Sequence, residues 1–282
     1  MFKKKQSAIR WIIGGSSGIG LELAKRYLKA GDQVCIFAHA DVENAVKDLS
    51  KYAKDPKKTD QFIRGYTLDV LNISQIESAF AQANQDMSLP MTVINCAGIV
   101  YAVPFEEQTA EQFERQININ LIGSRHIAAS ALSYLKQARG QSKHNPKLVL
   151  VASMAGILGC YGYAGYCASK FGTIGLADVL RLELKSQNID VAVVCPPEIE
   201  TPMVFEERKI GSKITSELKQ MGGSLKVEPA CKEIMAGIER DTFFIIPGKQ
   251  ARVLHRLIGM FPVVARQQID RQLAQILSKS QS

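Results

Sequence analysis

Short apolar segments alternate with amphipathic segments along most of this chain of 282 residues. The segments typical of buried strands are 8–13, 33–38, 62–67, 91–95, 147–152, 190–195 and 243–246. Segments with helical periodicity lie between them, at 18–30, 41–54, 73–85, 109–138, 164–187 and 227–239. This alternation is typical of α/β proteins. It predicts a Rossmann-like, doubly wound parallel sheet of about seven strands with helices on both faces.

The regular alternation ends after the sixth predicted strand. Residues 197–226 are rich in Gly, Lys and Glu, which predicts a mobile lid with short helices over a substrate site. The core pattern is complete by residue 250, and α/β domains often reach about 250 residues. We therefore expect one domain at 1–250 and a separate carboxyl-terminal extension at 251–282.

Apolar residues recur at helical spacing in the extension. They form two stripes separated by Pro262, the first at Leu254, Leu257, Ile258 and Phe261 and the second at Ile269, Leu273, Ile276 and Leu277. Arginines are interleaved with both stripes, which is typical of a basic amphipathic helix on a membrane surface. Packing of the same helices on their own domain is the alternative.

The net charge of +8 is concentrated at the two ends of the chain. The first ten residues carry Lys3, Lys4, Lys5 and Arg10 with no acidic residue, and 251–282 carry five basic residues against one acidic residue. A nucleic-acid-binding domain usually has a basic face over its body, so we expect no nucleic-acid partner. The basic ends favour either solvated termini or contact with an anionic membrane surface.

The cysteines and the apolar runs indicate the cellular location. The six cysteines form no CxxC pair and no metal-ligand spacing with histidine, so we expect no metal site and a reducing compartment. No apolar run reaches the roughly 20 residues of a membrane span, and the amino-terminal residues lack the apolar core of a signal peptide. We expect a cytoplasmic protein, with or without contact to the cytoplasmic face of a membrane.

A glycine cluster joins the first predicted strand to the first predicted helix. Gly14, Gly18 and Gly20 permit a tight turn and allow the backbone to approach a pyrophosphate at the helix N-terminus. Ser16 and Ser17 add hydroxyl donors. A plain strand-to-helix turn also uses glycine, but this strand-loop-helix context favours a dinucleotide-binding site.

The end of the second predicted strand indicates which dinucleotide binds. NAD sites usually place an acidic residue there for the ribose 2′-hydroxyl, and this chain has Ala38 followed by His39. Without the acid nothing repels a 2′-phosphate, and His39 can donate a hydrogen bond to it. The sequence therefore favours NADPH, with NADH as the alternative. Asp41 is a candidate cap for the next helix.

A tyrosine and a lysine stand four residues apart in a predicted helix, at Tyr166 and Lys170. An ammonium group near a phenol lowers the phenol's pKa from its usual value of about 10. Tyr166 is then a candidate acid or base at a carbonyl or alcohol oxygen. Ser153 follows the predicted strand 147–152, at the sheet edge where α/β proteins bind ligands.

Four neighbouring residues are candidates for the lining of a substrate pocket. Met154 and Cys160 bracket the turn that follows Ser153, and Tyr161 and Tyr163 lie close to Tyr166. Neither Tyr161 nor Tyr163 has a lysine four residues later, so we expect pocket or core packing from them rather than chemistry.

These motifs make the chain resemble the short-chain dehydrogenase/reductase family over residues 8–203, and on to about 248. The family's glycine loop, its Asp-Val pair and its Asn-x-Ala-Gly motif all find matches in the same order along the chain. The catalytic tetrad of the family matches Asn120, Ser153, Tyr166 and Lys170. Cofactor contacts are implied at Gly14, Ser16, Ser17, Gly18, Ile19, Gly20, His39, Asp69, Val70, Asn95, Ala97, Gly98, Tyr166, Lys170, Pro196 and Thr201.

The resemblance also implies a role for each member of the tetrad. Tyr166 would be the general acid, and Lys170 would lower the pKa of Tyr166 and bind the nicotinamide ribose. Ser153 would orient the substrate carbonyl, and Asn120 would support a water that relays protons to Lys170. Thr201 would contact the nicotinamide carboxamide, and the cofactor would supply a hydride.

Within the family the chain is most similar to the 3-ketodihydrosphingosine reductases. The similarity rests on 95–98, 156–162, 166–171 and 195–202, where a double proline replaces the common Pro-Gly. It implies reduction of a long-chain keto lipid to a secondary alcohol at a membrane surface with NADPH. His39 departs from the arginine typical of these reductases, and Met203 departs from a common glycine.

Two other functions are compatible with the same fold. A short-chain alcohol dehydrogenase would use the tetrad on a smaller carbonyl, and a non-catalytic scaffold would bind only the cofactor. The complete tetrad argues against the scaffold, because a protein that only binds has no need of a proton-transfer tyrosine. Family resemblance also implies a homodimer or homotetramer assembled through 109–138 and 164–187.

Overall fold

The computed structural model describes residues 7–55, 58–211, 213–219 and 223–280. The basic residues Lys3, Lys4 and Lys5 lie outside the described residues, as does the side chain of Lys279. Nine strands are found in the described ranges: β1 (Ile9–Ile13), β2 (Gln33–Ala38), β3 (Ile63–Thr67), β4 (Thr92–Asn95), β5 (Lys147–Val151), β6 (Asp190–Val194), β7 (Glu198–Glu200), β8 (Ser224–Lys226) and β9 (Phe244–Ile245).

Eleven α-helices are found in the same ranges. They are α1 (Gly18–Lys29), α2 (Val42–Ser50), α3 (Ile73–Met87), α4 (Ala110–Ile117), α5 (Gly123–Gln141), α6 (Ala164–Lys185), α7 (Pro202–Ile210), α8 (Lys213–Lys219), α9 (Val227–Glu239), α10 (Lys249–Met260) and α11 (Pro262–Ser280). The predicted α/β order of the chain is confirmed, and the boundaries of the seven predicted strands are close to those observed.

Seven parallel strands form the main sheet, in the order β3-β2-β1-β4-β5-β6-β9. Strand β1 pairs with β2 on one side and β4 on the other, so that Ile13 lies opposite both Phe37 and Asn95. The chain reverses its direction of winding between β1 and β4, and ligands of doubly wound sheets bind in the crevice at such a point. The sheet thus places a ligand site at the carboxyl ends of these strands.

Helices cover both faces of the sheet because its strands are apolar on both sides. Trp11 and Ile13 pack into the core beneath α3, α5 and α6, whereas Ile12 packs into the core beneath α1, α2 and α9. Trp11 is fully buried, and its ring lies 5.6 Å from that of Phe37 and 4.9 Å from that of Phe80. These aromatic contacts fix β1 at the centre of the domain.

Arg10 differs from the expectation that the amino-terminal cations are solvated. It lies in β1, is 5% exposed, and its guanidinium forms ion pairs with Asp32 at 2.9 Å and Glu239 at 3.1 Å. This cation therefore stabilises the inside of the domain and does not belong to an anion-binding end.

The predicted helix 109–138 is interrupted in the structure. Helix α4 ends at Ile117, a π-helical turn spans Asn118–Ile122, and α5 begins at Gly123. Single π-helical turns inside α-helices are common at functional sites. Periodicity did not reveal this turn, because one wider turn barely disturbs the apolar pattern.

The predicted lid contains more regular structure than expected. In addition to α7 and α8, β7 and β8 form a small parallel sheet of two strands, with Ile199 opposite Leu225. These strands are too short to be recognised by alternation of apolar and polar residues. The hydrogen bonds between β7 and β8 thereby join the two ends of the predicted lid to each other.

The extension forms two helices, and its apolar stripes are divided between protein and solvent. In the first stripe Ile258 is buried and Leu254 is half-buried, whereas Leu257 and Phe261 are 46% and 55% exposed. Both alternatives for the extension therefore retain support: part of it packs on the domain, and part presents apolar side chains to solvent. Among the described helices, none is both long enough and apolar enough to cross a membrane.

Candidate active site

Two cavities meet at the carboxyl edge of the main sheet. The cavity around the glycine loop, here the glycine-loop cavity, has a volume of about 390 Å³. The cavity around Tyr166, here the tyrosine cavity, has a volume of about 230 Å³. Ile19, Cys96, Gly98, Thr201 and Met203 line both cavities. A ligand in the glycine-loop cavity would therefore reach the side chains of the tyrosine cavity.

The glycine loop is shaped by close approaches of backbone to backbone. Gly14 has a φ of +74°, and a Cβ atom there would lie 2.7 Å from the backbone nitrogen of Ala97. A Cβ atom on Gly20 would lie 2.2 Å from the carbonyl oxygen of Gly14. Ser17 stands at the N-cap of α1 without a side-chain capping hydrogen bond. The first N–H groups of α1 are thus available to an anion, and the loop fits the pyrophosphate of a dinucleotide.

Most of the cofactor residues implied by resemblance lie around the glycine-loop cavity. Those that line it are Gly14, Ser16, Ser17, Gly18, Ile19, Gly20, His39, Asp69, Val70, Ala97, Gly98 and Thr201. Pro196, Tyr166 and Lys170 line the tyrosine cavity instead. The two groups adjoin at Thr201, which is consistent with one extended ligand that crosses between the cavities.

Asn95 lines neither cavity. It is buried at the end of β4, where its amide nitrogen donates to Ser124 Oγ at 2.9 Å. Its amide oxygen accepts from the backbone N–H of Ala97 at 3.2 Å. These contacts hold the turn that carries Ala97 and Gly98, so Asn95 shapes the cavity through the backbone rather than by touching its contents.

Two charged residues at the glycine-loop cavity were not assigned to it from the sequence. Arg115 lines the cavity from the last turn of α4, where no motif marked it. Asp41 also lines the cavity, with a left-handed backbone at a φ of 58°. Asp41 occupies the N-cap of α2 but makes no side-chain capping hydrogen bond. The capping role considered for this carboxylate is therefore not found.

Ser153, Tyr166 and Lys170 are brought together by β5 and α6. Ser153 follows β5, and its hydroxyl is hydrogen-bonded to the hydroxyl of Tyr166 in the first turn of α6. One turn later Lys170 is buried, and its Nζ donates to the carbonyl oxygen of Val151 at 3.0 Å. This Nζ lies 5.5 Å from the centre of the Tyr166 ring. The predicted juxtaposition of phenol, hydroxyl and ammonium is thus present.

The pKa of the Tyr166 phenol differs from the expectation. Burial raises the pKa of Tyr166 to about 12, and the hydrogen bond from Ser153 only partly opposes this effect. Burial also lowers the pKa of Lys170 to about 8, which weakens its hold on a proton. The net lowering of the Tyr166 pKa expected from Lys170 is therefore not found. Tyr166 is a protonated phenol at neutral pH, a state suited to giving a proton to a carbonyl oxygen.

Asn120 lies in the π-helical turn and lines neither cavity. Its amide oxygen accepts from the N–H of Ile99 at 2.8 Å, and its amide nitrogen donates to the Ile99 carbonyl at 2.9 Å and to Ser169 Oγ at 3.0 Å. The side chain therefore joins α6 to the turn beyond β4. Gly98 stands between Asn120 and Lys170, because a Cβ atom on Gly98 would lie 3.0 Å from Asn120 Oδ1 and 3.4 Å from Lys170 Nζ.

The lining of the tyrosine cavity is mostly apolar and comes from distant parts of the chain. Met154, Cys160, Tyr161 and Tyr163 line it, as expected. The lid and the extension contribute further residues: Pro197, Glu198, Ile199, Met203, Val204, Glu207, Leu218, Leu254 and Ile269. A wall from the segment 197–226 was expected, but the contacts between such distant segments leave no local signal, so neither its individual lining residues nor the contribution of the extension was predicted from the sequence.

A family model described as short chain dehydrogenase matches residues 9–210. A 3-ketodihydrosphingosine reductase of Mus musculus is 31% identical over 258 residues, which cover 90% of this chain and 75% of that protein. A 3-dehydrosphinganine reductase of Danio rerio is 30% identical over 258 residues, with the same coverage of 90% and 75%.

The chain is also similar in fold to solved structures. Levodione reductase matches with a TM-score of 0.75 at 20% identity, over 87% of this chain and 98% of that one. A short-chain dehydrogenase/reductase from Burkholderia phymatum in complex with NAD matches with a TM-score of 0.75 at 18% identity, over 90% and 93% of the two chains. These likenesses show the doubly wound fold that the alternation of strands and helices predicted.

Proposed function

The chain belongs to the short-chain dehydrogenase family, whose members use a nicotinamide cofactor, and from this premise we propose that it reduces a long-chain keto lipid such as 3-ketodihydrosphingosine with NADPH. The observation that carries the proposal is the tyrosine cavity, where a protonated phenol lies in a mostly apolar pocket beside the glycine-loop cavity. An apolar pocket stabilises the hydrocarbon chain of a lipid. The names of the relatives from mouse and zebrafish agree with this substrate class.

In the proposed reaction Tyr166 gives its proton to the carbonyl oxygen of the substrate, and Ser153 donates a hydrogen bond to the same oxygen. When bound, the reduced nicotinamide supplies a hydride to the carbonyl carbon. Lys170 holds the ribose hydroxyls and stabilises the negative charge left on Tyr166. The product is a secondary alcohol, and Tyr166 then takes up a proton to return to its starting state.

We assign the return of that proton to a path through Lys170. Asn120 supports this path in a positioning role, because its Oδ1 and Lys170 Nζ both border the small space beside Gly98 that a Cβ atom there would fill. The amide hydrogen bonds of Asn120 to Ile99 keep the turn in place while the ammonium exchanges a proton. A water between Asn120 and Lys170 would complete the relay.

NADPH is proposed as the cofactor because of the side chains at the end of β2. Ala38 carries no charge, and the exposed His39 lines the glycine-loop cavity where a 2′-phosphate would lie. Arg115 adds a cation to the same cavity. Asp41 is the acidic residue nearest in sequence, and its charge opposes a phosphate. The balance of these charges sets the preference for NADPH over NADH.

We propose that residues 251–282 form an extension that rests on the cytoplasmic face of a membrane. Met260, Phe261, Val263 and Val264 are each more than half exposed at the junction of α10 and α11. Exposed apolar side chains among arginines favour the interface of an anionic bilayer. Leu254 and Ile269 of the same extension line the tyrosine cavity. The extension would thus connect the membrane surface to the pocket that receives the lipid.

A homodimer or homotetramer is proposed through the long helices. On α6 the side chains of Phe171, Val179 and Leu182 are 46%, 51% and 62% exposed. Large apolar residues exposed on one helix are typical of surfaces that are covered in an assembly.

The deciding experiment follows the loss of NADPH absorbance with 3-ketodihydrosphingosine in detergent micelles. NADH and a short-chain ketone are run alongside as the alternative cofactor and substrate. We expect turnover of the lipid with NADPH to exceed both alternatives. Turnover of the short ketone alone would replace the lipid with a smaller carbonyl substrate, and turnover with NADH alone would reverse the cofactor assignment.

A further inference from the structure

The turn that precedes α6 determines where the first turn of this helix begins. Gly162 has a left-handed backbone at a φ of +77°, a conformation that favours glycine. The N–H of Tyr163 donates to the carbonyl oxygen of Cys160 at 3.1 Å, which closes the turn. Tyr166 follows in the first turn of α6. The position of the proposed acid therefore depends on the position of residues 160–163.

Two helices of the lid contact this turn. In α8 the hydroxyl of Thr215, a residue that is 1% exposed, donates to the carbonyl oxygen of Tyr161 at 3.1 Å. In α7 Glu207 accepts a hydrogen bond from the hydroxyl of Tyr163. A Cβ atom on Gly162 would lie 2.9 Å from Thr215 Oγ1, so α8 approaches the turn closely. Because Thr215 is buried, loss of its hydroxyl would remove a donor that water does not readily replace.

The turn is connected directly to the reacting group. The N–H of Cys167 donates to the carbonyl oxygen of Tyr163 at 2.7 Å, so the turn and the start of α6 share a backbone hydrogen bond. The rings of Tyr163 and Tyr166 are 5.5 Å apart. Misplacement of a reacting group by about 1 Å can lower a rate about 10²-fold. A small shift of the turn would therefore move the Tyr166 phenol away from Ser153 and slow the reaction.

We propose that Thr215 is a positioning residue for Tyr166 and acts by holding the turn at 161–163 in place. This inference rests on the proposed function, in which Tyr166 is the proton donor. Thr215 lines neither cavity, so it acts through the turn and not by contact with substrate or cofactor. Leu218 of the same helix lines the tyrosine cavity. One helix of the lid thus contributes both to the wall around the substrate and to the alignment of the acid.

The first test compares Thr215→Val, which keeps the shape of the side chain but removes the hydroxyl, with Thr215→Ser, which keeps the hydroxyl. We expect kcat for 3-ketodihydrosphingosine to fall about 10- to 100-fold in Thr215→Val and to stay within about threefold of the wild type in Thr215→Ser. KM for the ketone and the affinity for NADPH should change by less than about twofold. Ser216→Ala, which removes an exposed hydroxyl from the same helix, is the matched control.

The solvent deuterium isotope effect on kcat distinguishes alignment of the acid from simple packing. If the phenol is misplaced, proton transfer from Tyr166 limits the rate, and the isotope effect in Thr215→Val should be about twofold larger than in the wild type. An unchanged kcat, or a lower kcat with an unchanged isotope effect, would overturn the inference. A rise in KM alone would also overturn it, because Thr215 would then affect only substrate binding. In each of these cases turnover by the wild type leaves the proposed function standing.

Hydrogen exchange separates this inference from the proposed function, because it needs no substrate. The N–H groups of Tyr163 and Cys167 are hydrogen-bonded in the turn and at the start of α6. We expect them to exchange about tenfold faster in Thr215→Val than in the wild type and Ser216→Ala, with exchange in α5 unchanged. Equal exchange in all three proteins would overturn the inference. If exchange changes as expected but the wild type reduces neither a long-chain nor a short ketone, the proposed function fails and the contact of α8 with the turn remains.

Discussion

The two walls of the tyrosine cavity are built in different ways. On the sheet side Ser153, Tyr166 and Lys170 extend from the end of β5 and the start of α6, and their positions are fixed by buried hydrogen bonds. On the opposite side the lid and the extension contribute amphipathic segments such as α7 and α11, with many exposed side chains. We therefore propose that the sheet side of the site carries the chemistry and that the more exposed side determines the choice of substrate.

The largest expected effect belongs to the sheet side. In Tyr166→Phe the proton donor is lost, and we expect kcat to fall about 10³-fold or more with dinucleotide binding nearly unchanged. A steady-state assay measures kcat, and a cofactor titration measures dinucleotide binding separately. Tyr161→Phe, which removes another hydroxyl from the same cavity, should cost less than about tenfold. Similar losses in the two variants would contradict the division of roles between the walls.

The pH dependence of stability tests the burial of Lys170. Its pKa in the folded protein is about 8, below the ordinary value of 10.5. Between these pH values the unfolded chain holds a proton that the folded chain has lost, so a rise in pH favours folding. We expect the wild type to gain up to about 3 kcal/mol in the free energy of unfolding relative to Lys170→Met across this range.

Urea unfolding of both proteins from pH 8 to pH 10.5 measures this difference. Lys209→Met is the control from the opposite wall, because Lys209 is exposed and pairs with Glu206 on the surface of α7. The free energy of unfolding of Lys170→Met at each pH is compared with that of this control. A difference between the wild type and Lys170→Met that does not change with pH would show that the ammonium is more solvated than the structure indicates.

A change in the exposed wall should alter substrate choice rather than chemistry. Ile269→Ala removes an apolar contact that α11 makes with the tyrosine cavity. We expect KM for a long-chain ketone to rise about tenfold, with a short ketone unaffected, since the lost burial concerns only the hydrocarbon chain. Ile276→Ala on the same helix, away from the cavity, is the matched control. A fall in kcat for both ketones would show that the extension also organises the catalytic residues.

The smallest expected effect concerns the exposed end of β2. His39→Arg places a permanent cation at the glycine-loop cavity, and we expect the ratio of kcat/KM for NADPH over NADH to rise about fivefold. The effect is modest because solvent screens an exposed pair. His144→Arg, on an exposed loop away from both cavities, should leave the ratio unchanged. An unchanged ratio in His39→Arg would place the 2′-phosphate elsewhere.

The sequence predicted the sheet side of the site well because its signals are local. The glycine loop, Ser153 at a strand end and the spacing of Tyr166 and Lys170 each depend on a few neighbouring residues. The order of strands β1 to β6 then brings these signals to one edge, as doubly wound sheets do. The assignment of roles to these residues remains a proposal that the variants above would test.

The features that escaped prediction depend on distant contacts or on burial. In the sequence Glu207 is one of several charged residues in a polar segment. Only the position of α7 in the structure shows that it lines the tyrosine cavity. In the sequence Arg115 is one of the polar residues of a predicted helix. Only the packing of the last turn of α4 brings it to the glycine-loop cavity. The sign of the pKa shift of Tyr166 depends on how much water the fold excludes, which spacing along a helix does not reveal.

The position of Trp11 has a spectroscopic consequence. It is the single tryptophan of the chain and is fully buried in β1 between Phe37 and Phe80. Tryptophan emission therefore reports the centre of the sheet and is insensitive to events in the lid or the extension. An unfolding curve recorded by tryptophan fluorescence would therefore follow the unfolding of the main sheet. A helical signal in circular dichroism that fell at a lower denaturant concentration would show that the lid and the extension unfold before the sheet.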